Sequence, residues 1–418
     1  MFSVLKNTNF SYLFWGRIVT NMGDSLYNVA AMWLVYELTG STLYTGLAGA
    51  LIMIPQVFEF LVGPMVDRWK LRTILVVTQI LQGILVLSIP VSYYLGFSSV
   101  WLIMFIMFAV VAIEQFVYPA QSAMIPRVIK KEALPEANSL MNIAYKGANF
   151  ILTAVAGILI VKIGAINIYL INSVTFILAI MLFKNIKLIE SEVVGKRETK
   201  RLAPGFSTYR RDLMEGFSFV KNSTIPQLVL PLVIGNFVFG MINAILPAYA
   251  DFRGGEQYYG YYLASLSIGM LIGSFIAMYF KNIPLGLVIV TSFLLSGTAW
   301  GGSFLMDNTW ISIFLFGISS IGIGVANVLV FSLIQALIPE RMMGRVFSVI
   351  SSAATILLPL GSLLGGYFAT KIGSEWVYAG GSLVNLIIVV YWTLNRNLRK
   401  LPSYLNINSE DHLRHEVL

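Results

Sequence analysis

The feature that most constrains this chain is a series of long apolar runs, separated by short turn or charge signals. A helix that crosses a bilayer needs about 20 consecutive, mostly apolar residues. Twelve runs meet that length, near residues 11–36, 42–64, 73–95, 99–124, 138–162, 165–186, 226–250, 257–280, 284–305, 309–335, 344–370 and 376–395. Charged residues make up 11% of the chain, whereas soluble domains carry about 25%. That is too few to cover a soluble surface of this size. The runs predict an all-α polytopic membrane protein, with twelve transmembrane helices in two pseudo-symmetric six-helix bundles.

The loops orient the spans. Arg68, Lys70 and Arg72 lie between spans 2 and 3, Arg127, Lys130 and Lys131 between spans 4 and 5, and Arg341 and Arg345 between spans 10 and 11. Loops of the opposite parity hold few basic residues. Lys and Arg concentrate on the cytoplasmic side, so both termini are expected there, in a bacterial plasma membrane. The formal charge of +8 then reflects this bias, and no nucleic-acid partner is expected. Residues 1–187 form the predicted first bundle and 223–396 the second. A connection over 188–222 contains an amphipathic helix from Thr208 to Lys221, and 397–418 is a tail. In that helix Leu213, Phe217 and Val220 oppose Arg211, Glu215 and Ser218, which suits either the inner leaflet or a soluble linker. Ala123-Met124-Ile125-Pro126 answers Ala336-Leu337-Ile338-Pro339, and Lys162-Ile163-Gly164 answers Lys371-Ile372-Gly373. Both separations are close to half the chain, as in the internal repeats of secondary transporters.

Composition also narrows the chemistry. The chain has no cysteine, which excludes disulfides, thiolate metal sites and cysteine nucleophiles. Its two histidines, His412 and His415, fall in the polar tail. Met1 to Phe10 is short and polar, and no cleavable signal is expected. A membrane enzyme would be left with carboxylate or serine chemistry, for which no motif is visible, and a channel would need a filter-like repeat, which is absent. No cofactor or metal is expected.

Ionisable groups inside spans are costly and mark functional sites by default. In span 1, Arg17, Asn21, Asp24 and Asn28 are spaced by four, three and four, which places them on one helical face. Span 2 carries Gln56 and Glu59, span 4 carries Glu114, Tyr118 and Gln121, and span 5 carries Asn142, Lys146 and Asn149. Asp24, Glu114 and Glu59 are the candidates for proton coupling, because no histidine lies in the spans. Arg17, Asn21, Asn28, Gln121, Lys146 and Asn149 are candidate cavity residues, joined by Asn236, Asn243 and Asn327 from the second half. The alternatives are structural ion pairs, Arg17 with Asp24 and Lys146 with Glu114. Gly361-x-x-x-Gly365-Gly366 and Gly269-x-x-x-Gly273 predict close helix approach.

Between spans 2 and 3, Gly63-Pro64-Met65-Val66-Asp67-Arg68-Trp69-Lys70-Leu71-Arg72 resembles the signature loop of the major facilitator superfamily of transporters. Gly16-Arg17 with Gly23-Asp24, Tyr36-Glu37-Leu38-Thr39-Gly40-Ser41, Tyr118-Pro119-Ala120 and Gly344-Arg345-Val346-Phe347-Ser348 resemble its macrolide-efflux and enterobactin-exporter-like branch. Two features depart from the pattern. The Gly-Pro motif of span 5 is not intact around Gly147 to Gly157, and Lys281-Asn282-Ile283-Pro284 lacks the acidic-arginine signature. The resemblance implies a monomeric exporter that works by alternating access, antiporting protons. Its small-molecule substrate is expected to be a polar siderophore-like metabolite, or alternatively a macrolide or other drug. Gly63, Asp67, Arg68, Arg72 and Arg345 are then expected to form a gating loop at the membrane surface.

Overall fold

The structure, a computed structural model, describes residues 3–58, 62, 66, 69–130, 133–187, 206–255, 257–280, 282–339 and 342–403. The predicted residues Glu59, Gly63, Asp67 and Arg68 lie outside the described residues, as do His412 and His415 and the side chain of Lys146. In the first half the chain forms α1 (Thr8–Thr39), α2 (Thr42–Val57), α3 (Leu71–Tyr94), α4 (Val100–Glu114), α5 (Val117–Val128), α6 (Leu134–Asn142) and α7 (Ala148–Lys184). The second half forms α8 (Phe206–Lys221), α9 (Ile225–Phe252), α10 (Gln257–Ile276), α11 (Leu285–Leu305), α12 (Thr309–Leu337), α13 (Met343–Ile372), α14 (Ser374–Leu394) and α15 (Arg396–Arg399). Among the described residues, nine helical segments are long and apolar enough to cross a membrane, one of them running over the break between α4 and α5 and another over Gly164. α1 is long enough but carries the polar stripe.

The helix boundaries have local causes. The Asn7 side chain accepts from the Asn9 and Phe10 N–H groups, capping α1 as a short polar acceptor does. α1 ends at Gly40, which takes the left-handed conformation (φ 58°). The predicted fourth span is broken between α4 and α5. Pro119 has no N–H to offer the Gln115 carbonyl, so the ladder tightens there, and Phe116 donates to Ile113 at 3.2 Å instead. The predicted fifth span contains a π-turn, Ile143–Gly147. Spans 5 and 6 meet at Gly164 (φ 76°, ψ 162°), and spans 11 and 12 meet at Gly373 (φ 94°, ψ 149°). These are the glycines of the repeated Lys-Ile-Gly motif, and each adopts backbone angles that side chains disfavour. The internal repeat is therefore written into the backbone.

The chain divides into two compact units, Met1–Gly40 with Leu51–Ala203, and Ser41–Ala50 with Pro204–Leu418. In the first, α1 and α3 both pack along α7, and Phe10, Leu13, Leu75, Met124 and Phe183 lie in a common core. In the second, α9 packs on α13, α12 lies against α10 and α11, and α14 reaches α9 and α11. Ile225, Leu285, Leu333 and Trp392 lie in its core.

Glycines set the α9–α13 spacing, since a Cβ on Gly361 would overlap the Phe237 carbonyl. The first turns of α2 belong to this second unit. There Thr42 donates to the Gly366 carbonyl at 3.0 Å, Thr45 to Ala244 at 2.6 Å, and Ser362 to Gly46 at 3.0 Å.

α8 also packs on the second unit, with its apolar residues divided between that contact and the surface. Gly216 abuts the Arg345 backbone, Phe219 and Val220 enter the core, and Phe217 stays 53% exposed. The small Gly216 lets α13 approach on its side, which turns Phe217 outward.

Candidate functional site

The polar stripe of α1 meets three other elements inside the first unit. Gly16 and Gly23, seven residues apart, face the Phe183 ring and the Asn172–Thr175 pair of α7. α1 therefore seats closely on α7 and turns the following residues, Arg17 and Asp24, toward α4 and the π-turn. Arg17 is buried and its Cζ lies 3.7 Å from the centre of the Tyr145 ring. The Asp24 and Glu114 carboxyls lie close enough to act on each other, and the Arg17 guanidinium acts on both. Two carboxylates held side by side repel each other, so their closeness favours a proton shared between them.

The neighbouring groups complete the cluster. Tyr145 donates its hydroxyl to Gln121 Oε1 at 3.2 Å, and its ring meets Tyr118 edge-on at 4.4 Å. Asn21 Nδ2 donates to the carbonyls of Ala144 and, at 3.3 Å, Tyr145. Several buried atoms have no hydrogen-bond partner among the described residues: Arg17 Nε, Asp24 Oδ2, Asn28 Oδ1 and Gln121 Nε2. Native interiors leave few polar atoms unpaired. Those on Arg17, Asp24 and Asn28 belong to the α1 stripe.

The structure thus brings together Arg17, Asn21, Asp24, Glu114 and Gln121. It does not bring every predicted residue there. Asn149 is exposed and accepts from Thr153 at 3.1 Å. Asn236 donates to the Ala354 carbonyl at 3.0 Å, which joins α9 to α13. Asn243 is half-buried and Asn327 exposed in the second unit. Arg72 is exposed at the start of α3, and Arg345 pairs with Glu215 of α8.

Three features were missed in the sequence. Tyr145 was passed over although it adjoins Lys146 in the stripe of span 5. Gln79 and Gln82 are buried in α3, where Gln79 Nε2 donates to Gln82 Oε1 at 3.0 Å and Gln82 Nε2 to Val110 at 3.2 Å. Arg253, read as a loop charge, turns back into the second unit. It donates to Tyr249 Oη (3.0 Å), the Ser303 and Phe304 carbonyls (2.8 and 3.2 Å) and Ser312 Oγ (3.1 Å). Beside it Tyr249 stacks on Tyr378 with centroids 3.8 Å apart. The signal available in sequence was the cluster of Tyr, Ser and Trp on the adjoining spans.

Comparison with known proteins agrees with this architecture. The chain is 26% identical over 389 residues to the MFS-type transporter YvqJ of Bacillus subtilis, covering 91% of this chain and 90% of that protein. It is 26% identical over 405 residues to macrolide efflux protein A of Streptococcus pyogenes, covering 93% and 96%. Among solved structures, a bacterial homologue of the human lysosomal transporter Spinster superposes with a TM-score of 0.71 at 11% identity, covering 94% of this chain and 97% of that one. A multi-pass membrane transporter acting on a small molecule, and not an enzyme, is what these relatives have in common with the fold. The model of the Major Facilitator Superfamily matches residues 13–356, and the chain belongs to that family.

Proposed function

We propose that the chain is a proton-coupled exporter whose proton site is the Asp24–Glu114 pair beside Arg17. The observation that carries this reading is the placement of two carboxyls, Asp24 and Glu114, against each other within the first unit beside the Arg17 guanidinium. With one shared proton the group Arg17, Asp24 and Glu114 is neutral, and without it the group carries one net negative charge. Placing an unpaired charge at membrane depth is costly, so the deprotonated state favours either a returning proton or a cationic substrate. An amphipathic amine suits that exchange, and it matches the efflux role printed for the macrolide relative. The expectation of an anionic metabolite rests on the cations Arg17 and Lys146, and the charge of Arg17 is engaged by two carboxyls and a tyrosine ring.

One observation favours the second reading, export of an anionic siderophore-like metabolite. Arg17 Nε has no hydrogen-bond partner among the described residues and offers a donor to an anion. Both readings use alternating access, with the two six-helix halves rocking about a midplane site. The protein acts as a monomer in the plasma membrane with both termini cytoplasmic, the connection over 188–222 and the tail over 397–418 lying on that side. Counterflow in proteoliposomes separates the substrates. Trans-stimulated exchange of labelled erythromycin supports the amine reading, exchange of an anionic iron chelator supports the second, and exchange of neither refutes both.

A further inference from the structure

The π-turn Ile143–Gly147 carries Tyr145, whose ring lies against Arg17 beside the Asp24–Glu114 pair. A π-turn shifts the hydrogen-bond ladder by one residue, and such turns recur at functional sites. At membrane depth the carbonyls it disturbs need partners from elsewhere in the protein. Asn21 supplies them, donating through Nδ2 to Ala144 and Tyr145. Asn21 lies one helical turn from Arg17 and nearly one from Asp24, on the same face of α1. The turn it holds carries Tyr145, whose ring lies under the Arg17 guanidinium and whose hydroxyl is fixed by Gln121. Restoring a regular α-helical register at the π-turn would rotate Tyr145 by about 100° about the helix axis. The ring would then leave Arg17.

We propose that Asn21 is a positioning residue for the proton site. It holds the π-turn that places Tyr145 against Arg17, and through that ring it sets how the guanidinium faces the Asp24–Glu114 pair. Its amide is committed to the backbone and is not available as a substrate contact. The titratable or charged groups that act on the pair are Arg17 and Tyr27 on α1, Glu114 and Asp24 themselves and Tyr145 on the π-turn, with Tyr118 on α5 beside Tyr145 and Tyr169 on α7 beside Tyr27. Lys146 follows Tyr145 in the chain. Among the groups that act on the pair Arg17 is the cation, so its placement sets the attraction that offsets the repulsion between the two carboxyls. This inference rests on the reading of Asp24 and Glu114 as the proton site.

The test is an infrared pH titration of the purified full-length protein, following the C=O stretch of protonated carboxyls, which needs no substrate. Asp24→Asn and Glu114→Gln assign the signal of the pair. If neither removes a titrating band, the proton-site reading itself fails. Given an assigned band, Asn21→Ala and Tyr145→Leu are each expected to move its midpoint by about one pH unit toward higher pH, because a carboxyl pair that has lost its facing cation holds its proton more tightly. The double variant is expected to move no further than either single one, as for two parts of one link. Tyr145→Phe keeps the ring and is expected to match the parent. Should Asn21→Ala not yield a monodisperse sample, the Tyr145→Leu and Tyr145→Phe contrast still decides. An unmoved midpoint in Tyr145→Leu, or additive shifts in the double variant, overturns the proposal.

Discussion

Replacing Arg253 by methionine keeps most of the side-chain length and removes every polar contact it makes. Four hydrogen bonds are lost, to Tyr249, Ser303, Phe304 and Ser312. Hydrogen bonds to a charged group contribute about 1.5–3 kcal/mol each. The full sum overstates the loss, because Arg253 is half-buried and the Ser303 carbonyl still accepts from Ser312 Oγ at 2.7 Å. Ser312 also keeps Tyr262 at 2.6 Å and Ser303 at 3.0 Å. A net loss of about 3 kcal/mol follows, close to the contribution of two charge-assisted bonds. For a unit of this size each kcal/mol moves the thermal midpoint by about 2–4 °C, so Arg253→Met is expected to melt roughly 6–12 °C below the parent. The assay is thermal unfolding of the purified protein in detergent, with Arg253→Lys as the companion. Lysine keeps the charge without the planar fork and should fall between the two. A midpoint for Arg253→Met within about 1 °C of the parent would refute the reasoning that this side chain ties α9 to α11 and α12.

Three further outcomes are expected. Gln82→Leu strips Gln79 of its partner and should destabilise by about 2 kcal/mol, whereas the Gln79→Leu, Gln82→Leu double variant should cost less than Gln82→Leu alone, since an unpaired buried amide is worse than none; thermal midpoints of the three variants check this. The Glu215–Arg345 pair is half exposed, at 46% and 38%, and exposed pairs contribute at most about 1 kcal/mol. Glu215→Gln should therefore move the midpoint by less than about 2 °C, so a large slowing of counterflow in that variant would report gating and not unfolding. Thr45 is fully buried and the chain has no native cysteine, so Thr45→Cys offers one defined thiol. Adding Gly366→Val, whose side chain would overlap the Thr42 carbonyl, is expected to raise maleimide labelling of that thiol several-fold; unchanged labelling would show that the α2 turns do not depend on this contact.

Much of the architecture was legible because its causes are local. Apolar run length, the proline and glycine breaks and the Lys-Ile-Gly repeat act within a few residues, and the spans fall where they point. The stripe Arg17, Asn21, Asp24 and Asn28 was equally readable, because helical spacing alone puts it on one face. What spacing could not supply was the partner of each residue. Asn21 looked like a cavity wall, yet its donor goes to carbonyls that only a π-turn on another helix frees. Arg253 looked like a loop charge because its acceptors come from α11 and α12, some 50 residues on. Periodicity groups Phe217 with Val220, but Gly216 admits the neighbouring helix, so Val220 meets the core while Phe217 stays exposed.

The central claim is that the Asp24–Glu114 pair couples transport to protons. The most direct measurement uses proteoliposomes loaded with a pH-sensitive dye, into which a labelled erythromycin gradient is imposed without any pH gradient. The account predicts proton movement opposite to the amine in the parent protein. In Asp24→Asn it predicts loss of that proton movement and of the pH dependence of exchange. Erythromycin exchange with unchanged proton movement in Asp24→Asn would contradict it.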